Sequence, residues 1–238
     1  MIGDEQYSVF LPVKADSRRV KEKNFRPFAG STLLNVKLNQ LEMCQDIDKV
    51  VVSTNYEDIE RFVRGYSKVE IDWRDEWLCD DNTLISDLSM YIGREVFKDK
   101  KDDEWVIWTH VTSPLFGLER YYDLCDAIRL RTEAPHDSIL GAHLINEYLW
   151  DPDFKKPLNY DLSSFSSLWP RTQDLPPVAV VNSSVFAAPV KLFRQGARSV
   201  EYPTFFYTSV VEGLDIDTWT QFEMAEVLYK EFKERLVV

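Results

Sequence analysis

The sequence predicts an α/β fold of three layers, in which helices cover both faces of a mostly parallel, Rossmann-like sheet. Runs rich in β-branched and aromatic residues alternate with amphipathic helical patterns over most of the region up to residue 145. The chain of 238 residues, 45% of them hydrophobic, can bury a substantial core. We therefore expect a single domain over residues 1–238.

The individual elements follow from short hydrophobic runs and from apolar residues at helical spacing. Strands are predicted at residues 7–13, 49–54, 69–71, 105–110, 138–144 and 178–188. Helices are predicted around residues 34–41, 57–65, 84–92, 118–128 and 219–232. In such sheets the loops at the carboxyl ends of the strands converge, and ligands bind there.

Residues 146–177 interrupt the alternation of strands and helices. This segment contains five prolines, several aromatic residues and a serine-rich patch. Proline ends regular elements because its ring fixes φ and removes a backbone donor. We therefore predict that residues 146–177 form an arm inserted into the domain.

The composition excludes several classes of protein. No run approaches the roughly 18 apolar residues of a membrane span, and the first residues lack the features of a signal peptide. We expect a cytoplasmic protein with no membrane partner. Cys44, Cys79 and Cys125 form an odd, widely spaced set without CxxC spacing, which fits reduced thiols better than disulfides or a zinc site. The net charge of −12 argues against nucleic-acid binding, since an acidic surface repels the phosphate backbone.

Residues 14–26, which we call the basic loop, directly follow the first predicted strand. The loop holds six lysine or arginine residues and two acidic ones. A solvated surface loop is the ordinary explanation of such a charge run. This loop, however, leaves the carboxyl end of a strand, where α/β sheets bind ligands. Its position therefore favours an anionic ligand.

Residues 214–218 (LDIDT), which we call the acidic segment, carry two alternating carboxylates. In an extended segment Asp215 and Asp217 point to one side and Ile216 to the other. Magnesium prefers one or two carboxylates together with phosphate oxygens and water. Helix capping is the alternative, but Thr218 and Gln221 already form a T-x-x-Q capping box. The pair is therefore predicted to bind Mg²⁺.

Histidine spacing and missing motifs narrow the chemistry. His110, His136 and His143 are too scattered to ligate one metal. Only His110 stands at the end of the predicted central strand, where it would reach a ligand. The chain has no GxxxxGK[ST] phosphate loop, GxSxG elbow, HExxH pair or dinucleotide GxGxxG. Hydride transfer and serine hydrolysis are therefore disfavoured.

The segment 11–30, LPVKADSRRVKEKNFRPFAG, resembles the N-terminal signature of the acylneuraminate cytidylyltransferases, IPARGGSKRIPxKNIRPxxG. These enzymes make CMP-activated sialic acids. Further motifs follow in the order of that family and extend over nearly the whole chain. They are VVST at 51–54, Arg74 with Leu78 and Asp81, TSPL at 112–115, Arg171 with QDLP at 173–176, Asn182, and DIDT at 215–218.

The resemblance implies a nucleotidyltransferase domain that moves CMP from CTP onto a small acidic acceptor such as a sialic acid-like nonulosonic acid. The implied nucleotide contacts are Lys14, Ser17, Arg18, Lys23, Asn24, Arg74, Asp81 and Thr83. Among these, Lys14, Arg18 and Lys23 would support catalysis at the triphosphate. Asp215 and Asp217 would bind Mg²⁺, and His110, Arg171 and Gln173 would face the acceptor. The arm would help to build a homodimer.

The chain also departs from the family pattern. Lys14 replaces an arginine, Ala15 and Asp16 replace a Gly-Gly pair, and Phe116 replaces an arginine on the expected acceptor side. The acceptor can therefore differ from sialic acid, and related nonulosonic acids, a 3-deoxy-octulosonate or a phosphonate remain open. Two other functions also remain open: nucleotidyl transfer to a sugar 1-phosphate from another nucleotide, and a catalytically inactive homologue that acts as a binding subunit.

Overall fold

The computed structural model describes residues 6–15, 17–130, 138–161, 163 and 169–236. Asp16 and His136 of the sequence prediction lie outside this part of the chain. The strands are β1 (Tyr7–Val13), β2 (Pro27–Phe28), β3 (Ser31–Thr32), β4 (Ile47–Thr54), β5 (Val69–Trp73), β6 (Trp105–Thr109), β7 (Ile139–Ile145), β8 (Trp150–Asp151), β9 (Lys156–Pro157), β10 (Val178–Pro189) and β11 (Thr204–Tyr207). The α-helices are α1 (Leu33–Met43), α2 (Glu60–Val63), α3 (Glu76–Cys79), α4 (Ile85–Tyr91), α5 (Leu118–Arg129), α6 (Val190–Arg194) and α7 (Trp219–Leu236).

Seven strands form one sheet in the order β11-β7-β10-β6-β1-β4-β5. The pairs β1–β4, β1–β6, β4–β5 and β7–β11 are parallel, whereas β10 is antiparallel to both β6 and β7. Six strands therefore run in one direction and β10 runs in the other. The predicted mostly parallel α/β sheet is confirmed, and the carboxyl ends of β1, β4, β5 and β6 share one edge.

Two hydrophobic cores cover the two faces of this sheet. One core joins the sheet to α1, α5 and α7, and the other joins it to α4 and α6. Along β1, Val9 and Leu11 belong to the first core and Phe10 belongs to the second. This alternation follows from the two-residue side-chain period of a strand, and it confirms the predicted three-layer arrangement.

The segment between β7 and β10 contains little regular structure within its described residues. Strands β8 and β9 pair as a short antiparallel hairpin, and a 3-10 turn covers Thr172–Asp174. Asn146 ties the start of this segment to its end because its side-chain amide donates to the Leu175 carbonyl at 3.0 Å. The predicted role of residues 146–177 as a dimerisation arm stays a prediction.

Among the described residues, no helix combines the length and the apolar character needed to cross a lipid bilayer. The longest helix, α7, has 18 residues and carries several charged side chains.

Two buried polar side chains of α1 hold the loop that follows β6. The Lys37 ammonium donates to the Phe116 carbonyl at 2.9 Å, and the Gln40 amide donates to the Pro114 carbonyl at 2.8 Å. Both side chains are fully buried. The Lys37 nitrogen also lies 5.0 Å from the centroid of the Tyr121 ring. Helix α1 thereby fixes a loop at the carboxyl edge of the sheet.

Lys37 should give the free energy of unfolding a distinct pH dependence. Burial lowers the pKa of its ammonium well below the ordinary 10.5. Between the lowered pKa and 10.5 the unfolded chain binds more protons than the folded chain, so stability rises with pH. Chemical denaturation from about pH 7 to about pH 10 measures the free energy of unfolding at each pH. This free energy should rise more steeply with pH in the wild type than in Lys37→Met.

The exposed Lys21 supplies the matched control, because Lys21→Met should retain the wild-type slope. Parallel stability curves for the wild type and Lys37→Met would show that the buried amine does not titrate with an altered pKa.

Candidate active site

A cavity of about 600 Å³ opens at the carboxyl edge of the sheet. It lies beyond the ends of β1, β5 and β6 and is bounded by the basic loop and α4. Nine of the predicted site residues line it: Lys14, Ser17, Arg18, Lys23, Asn24, Arg74, Asp81, Thr83 and His110. The topology therefore brings residues from distant parts of the sequence into one site, at the edge where α/β sheets bind ligands.

Apolar and cation–π contacts anchor the basic loop against the domain. Val20 is fully buried in the core, and the Phe25 ring stacks on Tyr56 with centroids 4.1 Å apart. The Arg26 guanidinium lies 4.3 Å from the centroid of the Trp219 ring. These contacts hold the loop at the mouth of the cavity.

The replacement of the family's first glycine by Ala15 does not strain the loop. Ala15 is not among the residues with positive φ, and its amide donates to the Asn55 side chain at 3.1 Å. The left-handed conformation falls instead at Glu22, whose φ is 53°. An alanine therefore fits the backbone at position 15.

Asp81 neutralises two cations of the basic loop. Its carboxylate lies 3.1 Å from the Lys14 nitrogen and 2.9 Å from Nε of Arg18. The Lys14 hydrogen bond and charge, together with Arg18, lower the pKa of the Asp81 carboxyl group. The three side chains are well exposed, so water and salt screen these pairs. An anionic ligand can therefore displace the carboxylate at modest cost.

Lys23 joins the basic loop to the acidic segment. Its ammonium donates to the Ile216 carbonyl and lies 3.8 Å from the Asp217 carboxylate, which also pairs with Arg19 at 2.7 Å. Burial lowers the pKa of Lys23, and the charges of Asp215 and Asp217 partly offset that effect. Both carboxylates therefore act on the same ammonium group.

The acidic segment has the alternation that the sequence predicts. Ile216 is fully buried, and its amide donates to the Thr112 carbonyl at 2.9 Å. Asp215 and Asp217 are only partly buried. Oδ1 of Asp215 is sealed from solvent and accepts no hydrogen bond. Such an oxygen suits a cation, because a buried carboxylate oxygen without a partner is costly.

Thr218 and Gln221 form the predicted capping box at the start of α7. The Gln221 side-chain oxygen accepts from the amides of Asp217 and Thr218 at 2.9 and 2.8 Å. In return, the Thr218 hydroxyl accepts from the Gln221 amide at 3.3 Å. The Asp217 carboxylate is therefore not needed as a cap. Within the described residues no cluster of three or more His, Cys, Asp or Glu side chains suits a metal, so a bound metal here would need ligand oxygens as well.

Asn24 and Arg74 line the cavity, and each carries a buried polar atom without a hydrogen-bond partner. Both are buried, at 7% and 4% exposure, yet Oδ1 of Asn24 and Nη2 of Arg74 have no hydrogen-bond partner. The remaining contacts fix their orientation: the Asn24 amide donates to the Lys14 carbonyl at 3.2 Å, and Nε of Arg74 donates to the Cys79 sulfur at 3.2 Å. The pair thus holds one acceptor and one donor beside the cavity whose hydrogen-bonding capacity is unused.

His110 lines the cavity with both ring nitrogens engaged. Nδ1 lies 2.8 Å from the Ser183 carbonyl, and Nε2 accepts from the Trp108 indole at 3.1 Å. This pattern places the single proton on Nδ1. Burial lowers the pKa of the imidazole, which favours that neutral form.

Two predicted acceptor residues lie away from the cavity lining. Arg171 and Gln173 belong to the 3-10 turn region of the arm and are exposed. Arg171 forms a bidentate ion pair with Asp174, with nitrogen–oxygen distances of 2.8 and 3.0 Å. Their contact with an acceptor stays a prediction.

Phe116, which replaces an arginine of the family pattern, does not line the cavity. Phe116 is fully buried in the core, with its ring centroid 5.0 Å from that of Tyr121. Its side chain therefore belongs to the core of the domain. Sequence reasoning also missed the apolar wall of the cavity, which includes Trp108 and Leu88. Their spacing indicates only a core strand and a core helix.

Comparison with known proteins adds a partial match to a family model and a shared fold. Residues 9–119 match the cytidylyltransferase family model. No protein of curated function matches the sequence. A solved CMP-2-keto-3-deoxy-manno-octonic acid synthetase complexed with CTP is 13% identical, with a TM-score of 0.65 over 95% of this chain and 99% of that one.

A second solved structure, 4-diphosphocytidyl-2C-methyl-D-erythritol synthase from Anaerococcus prevotii DSM 20548, is 12% identical. Its TM-score is 0.63 over 96% of this chain and 100% of that one. At these identities the likeness establishes the fold, which is the Rossmann-like nucleotidyltransferase fold. The match of residues 9–119 to the cytidylyltransferase family model runs from β1 to the start of α5.

Proposed function

We propose that the chain is a magnesium-dependent cytidylyltransferase that transfers CMP from CTP to a small acidic acceptor and releases pyrophosphate. The observation that carries this proposal is the contact of Lys23 with the acidic segment. It joins cations suited to a triphosphate to carboxylates suited to a metal, at the edge of one cavity. The family match of residues 9–119 supports the choice of CTP.

The basic loop supplies the charge that a triphosphate needs. Lys14 and Arg18 line the cavity and are now held by a single exposed carboxylate, Asp81. A triphosphate carries more charge than one carboxylate, and its nonbridging oxygens accept several hydrogen bonds at once. The two cations and Lys23 would therefore stabilise the charge that builds up on the leaving pyrophosphate.

Asn24 and Arg74 suit the cytosine base. Cytosine presents an amino donor beside ring-nitrogen and carbonyl acceptors. The free acceptor of Asn24 and the free donor of Arg74 complement these two kinds of group. A buried polar atom left unpaired by the wrong base costs binding energy, so the same pair would discriminate among nucleotides.

Asp215 and Asp217 would hold Mg²⁺. The fit rests on the sealed, unpaired Oδ1 of Asp215 and on the exposed edge of Asp217. When bound, the ion would neutralise phosphate charge and could lower the pKa of the attacking hydroxyl. The chain's own part is to hold both carboxylates on one side of a segment that Ile216 and Thr112 fix to the domain.

The reaction requires positioning and charge neutralisation. An acceptor oxygen would form a bond to the α-phosphorus of CTP in line with the bond that breaks to pyrophosphate. The cations of the basic loop would hold the leaving group, and the polar base contacts would fix the nucleoside. In the observed arrangement His110 would not accept the proton of the attacking hydroxyl, because its unprotonated Nε2 already accepts a hydrogen bond from the Trp108 indole.

For the acceptor we propose a sialic acid-like nonulosonic acid or a related acid. The arm would bring Arg171 and Gln173 to it, most simply from a partner copy in a homodimer. Several aromatic side chains of the arm are solvent-exposed and grouped, with the Trp150 and Trp169 rings 5.9 Å apart. A second copy of the chain would cover this surface.

Turnover provides the first test. The protein is incubated with Mg²⁺ and each of CTP, UTP, ATP and GTP, together with nonulosonic, octulosonic and phosphonic acids, and pyrophosphate and product mass are measured. We expect pyrophosphate to be released only when CTP and one class of acid are present. Asp217→Asn should lower the rate by a factor of about a hundred or more, because the metal loses a charged ligand.

Asp103→Asn is the matched control, since Asp103 is exposed at the opposite edge of the sheet and should leave the rate unchanged. Turnover with a sugar 1-phosphate, or with a nucleotide other than CTP, would contradict the proposal.

Asp81 should compete with phosphate for the basic loop. Asp81→Asn removes the carboxylate that pairs with Lys14 and Arg18, so the protein should bind inorganic pyrophosphate more tightly. The pairs are exposed, and the gain should be roughly threefold at low salt and smaller at high salt. Titration calorimetry measures it, with Asp103→Asn as control. Weaker pyrophosphate binding by Asp81→Asn would mean that Asp81 supports the anion site.

A further inference from the structure

Arg198 is a partly buried cation that the proposed reaction has not yet used. It follows α6, and its guanidinium carbon lies 3.7 Å from the centroid of the Phe186 ring and 5.0 Å from that of Trp108. These two aromatic residues face each other on the adjacent strands β10 and β6. Stacking on them orients the guanidinium plane.

Arg198 has no anionic partner within the described part of the chain. No side-chain hydrogen bond or ion pair joins it to another described residue, in contrast to Lys14, Arg18 and Arg19 of the basic loop. Burial lowers the pKa of the guanidinium to about 10, so it stays charged at neutral pH. A desolvated charge without a partner is costly, which favours the arrival of an anion.

Solvent can still reach this charge. No side-chain nitrogen of Arg198 is both buried from solvent and without a hydrogen-bond partner. The preceding turn is also held in place: Gly196 has φ +81°, and a Cβ there would lie 3.3 Å from the Ser86 carbonyl oxygen of α4. A guanidinium on a fixed turn is preorganised for a ligand.

The charge of Arg198 lies beside the cavity. Trp108, which contacts its guanidinium, and His110 both line the cavity. The Arg198 charge is close enough to lower the pKa of His110. His110 itself has both nitrogens engaged, so it offers nothing to an acid in this form. Arg198 is thus a cation beside the cavity whose donors are not used by any described residue.

We propose that Arg198 binds the acidic group of the acceptor, a carboxylate or a phosphonate. The inference rests on the proposed function, since it names the residue that recognises the acid. A planar guanidinium matches two oxygens of a carboxylate or phosphonate with two parallel hydrogen bonds. Phe186 and Trp108 would hold that plane beside the cavity, so that the acceptor enters with its acid group fixed.

The test compares acids with their neutral esters and does not depend on turnover. Isothermal titration calorimetry measures the binding of three acids to the protein saturated with CMP: N-acetylneuraminate, 3-deoxy-octulosonate and phosphonoacetate. For each acid, the methyl ester with every acid group esterified is titrated in the same way. The proteins are the wild type, Arg198→Gln, Arg198→Lys and Arg64→Gln, in which an exposed arginine after α2 serves as the matched control. Thermal unfolding shows whether each variant is folded.

We expect the wild type to bind at least one acid about tenfold or more tightly than its ester, as charge-assisted hydrogen bonds provide. Arg198→Gln should lose this preference, Arg198→Lys should keep part of it, and Arg64→Gln should keep all of it. An acid preference that persists in Arg198→Gln, or no preference in the wild type for any of the three acids, would overturn the proposal.

CTP is titrated in parallel into the four proteins and should bind equally well to each. Failure of CTP to bind the wild type would count against the cytidylyltransferase proposal, while the comparison of acids with esters would still decide the role of Arg198.

Discussion

The contact between Lys23 and the acidic segment is the interaction on which the rest of the site depends. The Lys23 ammonium donates to the Ile216 carbonyl. The negative charges of Asp215 and Asp217 both stabilise its positive charge. Without such a cation, two neighbouring carboxylates would repel each other. Without the Asp217 carboxylate, Lys23 and Arg19 of the basic loop would lose their anionic partner. The apposition of opposite charges therefore sets the distance between the part of the site suited to phosphate and the part suited to a metal.

The sheet supplies the rigid frame for this contact. Lys23 is held by a loop that Val20 anchors in the core, and the acidic segment is held by Ile216, which is buried and bonded to Thr112. The loop carrying Thr112 rests in turn on α1 through Lys37 and Gln40. Each contact joins elements far apart in sequence. Exposed side chains such as Arg18 and Asp81 can then rearrange around a ligand while the backbone stays in place.

Local patterns were enough to predict much of this arrangement. Alternating hydrophobic runs identified six strands of the main sheet, and the T-x-x-Q box and the buried Ile216 are both confirmed. Contacts between distant residues were not predictable in this way. The reversed direction of β10, the short edge strand β11 and the burial of Phe116 all depend on tertiary packing. Arg198 stands alone in a polar turn, and only the fold brings it to Trp108.

The central claim is that Lys23 unites the two halves of a CTP site. The most direct measurement is the dissociation constant of CTP with excess Mg²⁺ for the wild type, Lys23→Gln and Lys21→Gln. Lys21 is the matched control because it lies in the same loop and is exposed. The account predicts that Lys23→Gln weakens CTP binding by about tenfold or more, as expected for a lost charge-assisted contact, and that Lys21→Gln does not. Equal CTP binding by Lys23→Gln and Lys21→Gln would contradict it.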